Sequence, residues 1–330
     1  MKIADIRPDA AMDGQVAAID RDVDYLQTRQ SHFVKVACPA CAGSTASFAF
    51  ERKQFSYYRC QDCATVYMSP RPDAAMLADF YAQSEVYKYW SSNVYKASAA
   101  MRQQMLFRPR AQIVDQLCNA AGLSGGVAIE VGASYGFFCE EIRSLGRFSE
   151  IHAIEPTPDQ AIACRAKGFR VHECSYERAP VSAPADLVAS FETIEHLFSP
   201  RAFFEWAAHL LRPKGILMIT CPNMAGFETL VLGADAPAVD HEHINYFNPR
   251  SITRLAEMTG FGGIRVVTPG KLDVEIVEEH LRKGVTNEEK IGPFVSELIA
   301  SGQETKQMFQ EFLQAANLSS HMLLTASRIG

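Results

Sequence analysis

Residues 127–138 read VAIEVGASYGFF. Val127, Ala128, Ile129 and Val131 make a short apolar run with Glu130 near its end, which Gly132 and Gly136 interrupt before an amphipathic pattern begins. A strand that turns through glycines into a helix lets backbone approach a ligand closely. Glycine has no Cβ to clash and tolerates positive φ, and the first turn of the following helix presents unpaired N–H groups. The stretch therefore has the form of a cradle for an adenosine-type cofactor.

Beyond it, strand and helix patterns alternate. Strands are expected at 127–131, 150–154, 169–173, 186–191 and 215–221, with helices at 136–145, 158–167 and 200–211. Residues 226–240 read as a long loop, 249–259 as a helix and 263–268 as a strand. Residues 320–327 (SHMLLTAS) read as a last strand, which makes the helical, charged stretch 271–318 an insertion. This rhythm argues for an α/β fold, a parallel sheet with helices on both faces.

Nine cysteines are present, four of them in the pairs Cys38-Pro-Ala-Cys41 and Cys60-Gln-Asp-Cys63, 18 residues apart. Two such knuckles can give four thiolates to one tetrahedral zinc. A module of residues 37–70 has too little core to fold alone, so a metal would replace the missing stabilisation. Four cysteines close the coordination sphere, which makes the expected Zn2+ structural. Cys118, Cys139, Cys164, Cys174 and Cys221 are scattered through apolar surroundings and read as small buried residues.

Residues 1–36 carry no motif and read as a partly ordered lead-in. Residues 71–119 are helical and rich in aromatics: Phe80, Tyr81, Tyr87, Tyr89, Trp90 and Tyr95. These residues either form a lid over a polar ligand, with Tyr87 and Tyr89 touching it, or pack the cysteine module against the main domain. Residues 120–330 make up the main domain. The net charge of −6 argues against nucleic acid as partner. No run approaches the ~20 apolar residues that span a bilayer, and the first residues lack a signal-peptide layout. A cytoplasmic protein without membrane insertion is expected.

Glu155 stands at the end of the second strand, 25 residues after Glu130. An acidic side chain there can accept both ribose hydroxyls of a nucleoside cofactor. That would permit a nicotinamide dehydrogenase, but the turn lacks the third glycine of that fingerprint. The fourth strand also runs into Phe191-Glu192-Thr193-Ile194-Glu195-His196-Leu197. With Leu211-Arg212-Pro213-Lys214-Gly215 before the fifth strand, residues 120–270 resemble a class I S-adenosylmethionine-dependent methyltransferase. The resemblance implies a Rossmann-like seven-stranded sheet with a reversed last strand. It places the loop of Glu130, Gly132, Ser134, Tyr135 and Gly136 against the methionine part of the cofactor. Glu155 and Pro156 would lie at the ribose, Phe191 and Glu192 beside the cofactor, and Cys174 or Ser175 near adenine. Ser134 departs from the usual glycine.

The cysteine module, together with His241-Glu242-His243-Ile244-Asn245-Tyr246-Phe247, is similar to bacterial sugar C-methyltransferases and related glycan and natural-product enzymes. In those enzymes a Glu-His pair supports deprotonation; Glu242-His243 matches it, although this chain lacks their full C-terminal domain. The resemblance implies methyl transfer to a small polar acceptor such as a sugar or sugar nucleotide. His243 is the first candidate base and His241 the second, with Glu242 orienting or acting itself. Alternatively His243 caps a turn, and His196 is structural or cofactor-adjacent. Three other readings stay open. Glu192, Glu195, His196 and His243 could hold a divalent ion, a layout that resembles metal-dependent small-RNA 2′-O-methyltransferases. The cysteine module could also belong to a non-catalytic binding protein, and the dehydrogenase is the third.

Overall fold

The computed structural model describes residues 2–8, 12, 14–123, 125–181 and 184–330. Its centre is a seven-stranded sheet. The strands are β4 (Val127–Val131), β5 (Glu150–Ile154), β6 (Arg170–His172), β7 (Ala185–Phe191), β8 (Leu211–Pro222), β10 (Phe261–Val267) and β11 (His321–Arg328). They lie in the order β10-β11-β8-β7-β4-β5-β6. β11 runs antiparallel to both neighbours, while β8, β7, β4, β5 and β6 are mutually parallel. Every residue of β7 (ADLVASF) is buried, as a strand covered on both faces requires. This is the α/β Rossmann-like sheet with a reversed last strand that the alternating pattern and the resemblance led us to expect.

From β4 the chain winds outward through β5 and β6, then crosses back to β7 on the other side of β4. The strand order reverses there, and a crevice opens at the carboxyl ends of β4 and β7. The glycine turn and the FETIEHL segment leave the sheet at that crevice.

A second, four-stranded sheet joins β1 (Ala46–Arg52), β2 (Phe55–Cys60), β3 (Val66–Met68) and β9 (Asn245–Tyr246). β9 comes from the far side of the main domain and pairs with β3 through Val66↔Tyr246 and Tyr67↔Asn245. The cysteine module is thus completed by main-domain chain, a long-range pairing that no local pattern announces.

Residues 73–121 form an almost unbroken helical arm: α2 (Ala74–Gln83), α3 (Glu85–Tyr89), α4 (Lys96–Arg102) and α5 (Arg108–Ala121). Wide π turns at Trp90–Tyr95 and Gln103–Phe107 join its pieces. Two expectations are corrected. Residues 15–27 of the lead-in form a 13-residue helix, α1 (Gln15–Gln27), because Ala18, Asp22, Val23 and Leu26 recur at helical spacing and are buried. Residues 226–240 are not simply loop: they contain helix α9 (Phe227–Leu232) and a short 3-10 turn, Gly233–Asp235. Phe227, Thr229 and Leu232 drive α9 inward, a stripe too short to read as periodic.

The insertion between β10 and β11 comprises α11 (Asp273–Arg282), α12 (Glu288–Ala300) and α13 (Gln303–Ala315). Its Val277, Ile291 and Leu298 share one apolar cluster with Leu26 of α1, Phe55 and Met68 of the small sheet, and Phe80 of the arm. At about 25 cal/mol per Å2 of apolar area, this shared burial fastens all the peripheral parts around the crevice.

Candidate active site

Gly132 and Gly136 take φ of +75° and +70°. A Cβ on Gly132 would collide with Thr193 Oγ1, and one on Gly136 would sit 2.9 Å from Cys164 Sγ. The turn therefore needs both glycines. Ser134 also lies in the left-handed region, at φ +48°, where a side chain is strained. Its Oγ is buried without a hydrogen-bond partner. Glu155 organises the turn: its Oε2 accepts from Ser134 N–H and its Oε1 from Thr157 N–H, each at 2.8 Å. Burial raises the Glu155 carboxyl above its ordinary value. Beneath the turn, Glu130 accepts from Cys139 Sγ at 2.9 Å, and burial pushes its pKa up to about 8. Pro156 follows Glu155, and the Tyr135 ring lies between Phe137 (5.9 Å) and Tyr95 of the arm (5.3 Å). Cys174 is half-buried just past β6, and Ser175 precedes a 3-10 turn. The glycine cradle, the orphaned hydroxyl and the acidic residue fit a nucleoside cofactor with an aliphatic tail.

Across the crevice, Phe191 packs on Phe138 (4.7 Å) and carries the Arg110 guanidinium over its ring at 4.5 Å. Arg110, on α5, is 7% exposed. Its polar contacts are the Glu192 carboxylate at 3.9 Å and the His321 Nε2 at 3.4 Å, which leave most of its five donors unspent. Glu192 takes a left-handed φ of +50° and accepts from Thr220 Oγ1 at 2.6 Å. Burial would raise its pKa, but His321 and Arg110 together hold it below the usual carboxylate range. Arg110, Thr220 and His321 were not singled out from the sequence. An arginine on a helix 22 residues before Gly132 has no local signature, and β11 lies a further 189 residues along from Gly132.

The histidines separate into two groups. His196 and His243 meet edge to face, with ring centroids 4.7 Å apart. His243 Nδ1 lies 2.7 Å from Ala238 O, and His196 Nδ1 3.2 Å from Glu242 O. A carbonyl can only accept, so each Nδ1 carries the proton and each Nε2 keeps a lone pair. Burial lowers both pKa values, so the rings are neutral. Both oxygens of the buried Glu195 lack a hydrogen-bond partner, and Glu195, His196 and His243 offer ligand atoms within 4.8 Å of one another. Burial, then the nearby Glu192, raise the Glu195 carboxyl well above its ordinary value.

His241 and Glu242 belong to a second cluster, with Asp22. His241 is 1% exposed, with Nδ1 against Asp240, and Glu242 is buried beside it and bonded by Tyr87. Burial brings Glu242 to about 8. Of the sequence candidates, the structure thus places His243 with His196 and Glu195, while His241 and Glu242 form a separate cluster with Asp22. The arm tyrosines are used in packing: Tyr81 donates to His196 O at 3.4 Å, and the Tyr89 hydroxyl accepts from Gly14 N–H at 3.2 Å.

In the small sheet, Cys38, Cys41, Cys60 and Cys63 are all buried and converge within 4.8 Å of one another. Two of the sulfur pairs, Cys38–Cys63 and Cys41–Cys60, are 3.5 Å apart. Four thiols facing one point suit a tetrahedral thiophilic ion with metal–sulfur distances of about 2.3 Å. Asn248 Nδ2 donates to Cys63 O at 3.2 Å, so the knuckle touches the main domain next to β9.

The comparisons with known proteins agree with this geometry. A family model described as a methyltransferase domain matches residues 101–266, half of the chain. A ubiquinone biosynthesis O-methyltransferase of Xylella fastidiosa is 26% identical over 162 residues, covering 44% of this chain and 65% of the relative. The corresponding protein of Xanthomonas oryzae is 25% identical over 154 residues, covering 42% of this chain and 64% of its own length. The chain thus spans slightly under two thirds of these curated relatives. Among solved structures, a chain of the complex between the Haloferax volcanii Trm112 methyltransferase activator and a methyltransferase aligns with a TM-score of 0.50 at 11% identity. It covers 74% of this chain and 98% of that one, a likeness of fold. Among the described residues, no helix is long and apolar enough to cross a membrane. With the family model spanning β4 to β10, the glycine cradle and Glu155 fall inside the matched region, and the chain belongs to the methyltransferase-domain family.

Proposed function

We propose that the protein transfers the methyl group of S-adenosylmethionine to a hydroxyl of a small polar acceptor, with sugars and sugar nucleotides the first class to test. One observation carries the reading: His243 offers a neutral imidazole whose Nδ1 is committed to Ala238 O, leaving Nε2 for chemistry within reach of the charge of Glu192 at the end of β7. The likeness to ubiquinone biosynthesis O-methyltransferases favours oxygen as the methylated atom. S-adenosylmethionine supplies a methyl group activated on a sulfonium centre. The chain's residues do the rest. Glu155 accepts from the ribose hydroxyls, and Gly132 and Gly136 admit the methionine backbone. Arg110 turns its unspent donors to the methionine carboxylate. His243 Nε2 takes the acceptor's proton. The helical arm excludes water and aligns the acceptor oxygen with the bond being broken. The four cysteines hold a structural Zn2+.

A second reading is favoured by the orphaned Glu195 carboxylate. Glu195, His196 and His243 would hold a divalent cation through two Nε2 lone pairs and one carboxylate, with both Nδ1 protons fixed by backbone carbonyls. The cation would bind the acceptor hydroxyl and lower its pKa. Transfer of labelled methyl to a panel of nucleotide sugars and catechols, with and without chelator, tests both. Chelator-resistant turnover supports the base, and turnover restored by Mg2+ or Mn2+ supports the cation. No transfer to any acceptor, despite stoichiometric cofactor binding, would sink the proposal.

A further inference from the structure

A cluster formed by Asp22 with the His241-Glu242 segment has no part in methyl transfer as proposed, yet it concentrates ligand-type groups. Asp22 comes from α1, His241 and Glu242 from the segment before β9. Their ligand atoms lie within 4.8 Å of one another, and all three residues are at least nine-tenths buried.

His241 is the informative member. Its Nδ1 faces the Asp240 carboxylate, an acceptor only, so Nδ1 carries a proton and Nε2 is the nitrogen left to meet a ligand. That Nε2 is buried with no hydrogen-bond partner among the described residues. Glu242 Oε1 is 4.0 Å away, too far for a hydrogen bond. An imidazole and two carboxyl groups, buried together with their ligand atoms converging, are a donor set that a divalent cation would complete. A carboxylate fixing Nδ1–H so that Nε2 faces a shared point is also the arrangement that orients histidine toward a metal.

Asp22 also serves the arm. It accepts from Ser84 Oγ at 2.5 Å and from the N–H groups of Glu85 (2.8 Å) and Val86 (3.1 Å), capping α3. The same carboxylate therefore anchors the arm, while Glu242 is bonded by Tyr87 of that arm.

We propose that Asp22, His241 and Glu242 form a divalent-cation site, distinct from the four cysteines and from Glu195, His196 and His243. One imidazole nitrogen with two carboxylates suits a first-row ion such as Mn2+ or Zn2+. Ligand atoms of such an ion stand roughly 3–3.5 Å apart, so the side chains close in by about 1 Å when it binds. Its effect is to bind α1, the helical arm and the acceptor-side segment into one unit, closing the arm over the crevice.

Full-length protein, washed with a chelator too weak to strip thiolate-bound zinc, is titrated with Mn2+, and the free ion is followed by its electron paramagnetic resonance signal. Asp22→Asn and His241→Gln are each expected to weaken one Mn2+ equivalent at least tenfold. His196→Gln, in the other cluster, is expected to retain it. Asp22→Asn keeps one acceptor oxygen for the α3 cap. Wild-type affinity in both Asp22→Asn and His241→Gln overturns the site, as does a wild-type protein that takes up no Mn2+. Because buried substitutions can unfold a chain, the second arm uses wild-type crystals soaked in MnCl2. An anomalous peak bonded to His241 Nε2 is expected, and its absence overturns the site. Neither arm depends on methyl transfer, so its failure is separable from that of the proposed activity.

Discussion

His196 and His243 stand edge to face at 4.7 Å, one from the turn after β7 and the other from the segment before β9, 47 residues later. Each ring has its Nδ1 proton committed to a backbone carbonyl. The pair therefore keeps two Nε2 lone pairs beside the buried Glu195, whether these serve a proton or a cation. Replacing His243 by Ala is expected to lower turnover roughly 10²–10⁴-fold if it is the base, with S-adenosylhomocysteine binding nearly unchanged by calorimetry. Wild-type turnover in that variant would remove it from the chemistry.

Glu155 shapes the turn by accepting from the N–H groups of Ser134 and Thr157, and is proposed to take the ribose hydroxyls. Glu155→Ala is expected to weaken cofactor binding by about 1–3 kcal/mol through lost charge-assisted hydrogen bonds. An unaltered dissociation constant would end the ribose assignment.

Arg110 is tested through the ligand. Arg110→Met is expected to weaken binding of S-adenosylhomocysteine by about 1.5–3 kcal/mol. A cofactor analogue lacking the methionine carboxylate should bind wild type and variant alike. Equal losses for both ligands would mean that Arg110 only supports Phe191 and Glu192.

The carboxyl of Glu130 sets a pH dependence of stability. Burial raises it to about 8, against about 4.3 in an unfolded chain. The folded state thus prefers the protonated form. Its contribution is complete below about pH 4.3 and is lost as pH rises through 8. Glu130→Gln cannot ionise, so its urea midpoint should decline less than wild type between pH 5 and 8.5. Parallel profiles would refute the buried protonated acid.

The four-cysteine cluster is coupled to the active site through β3 and β9. Cys60→Ser is expected to abolish one bound zinc by elemental analysis and to lower the melting temperature by several degrees. It should also speed amide exchange at Asn245 and Tyr246, which pair with β3. Zinc loss with unchanged exchange there would show the two parts to be independent.

Much of the fold was legible because local periodicity encodes it. The apolar runs at 127–131 and 150–154 match β4 and β5 residue for residue; the apolar segment at 320–327 gave the last strand, while its reversal came from the methyltransferase resemblance. α1 was missed because its stripe is short and interrupted by Asp22, a buried charge that makes sense only beside Ser84 and His241. The four cysteines and the glycine turn were visible because their chemistry needs fixed spacing. Arg110 and His321 were not, because their roles depend on a meeting across the sheet.

The sequence by itself determined the order of strands and helices, the cofactor turn and the thiol cluster, since each is written in spacings of a few residues. Only tertiary structure decided how His241, Glu242 and His243 divide between two clusters. Which cluster each joins depends on Asp22 and His196, which packing brings from distant parts of the chain, and on the neighbouring Asp240.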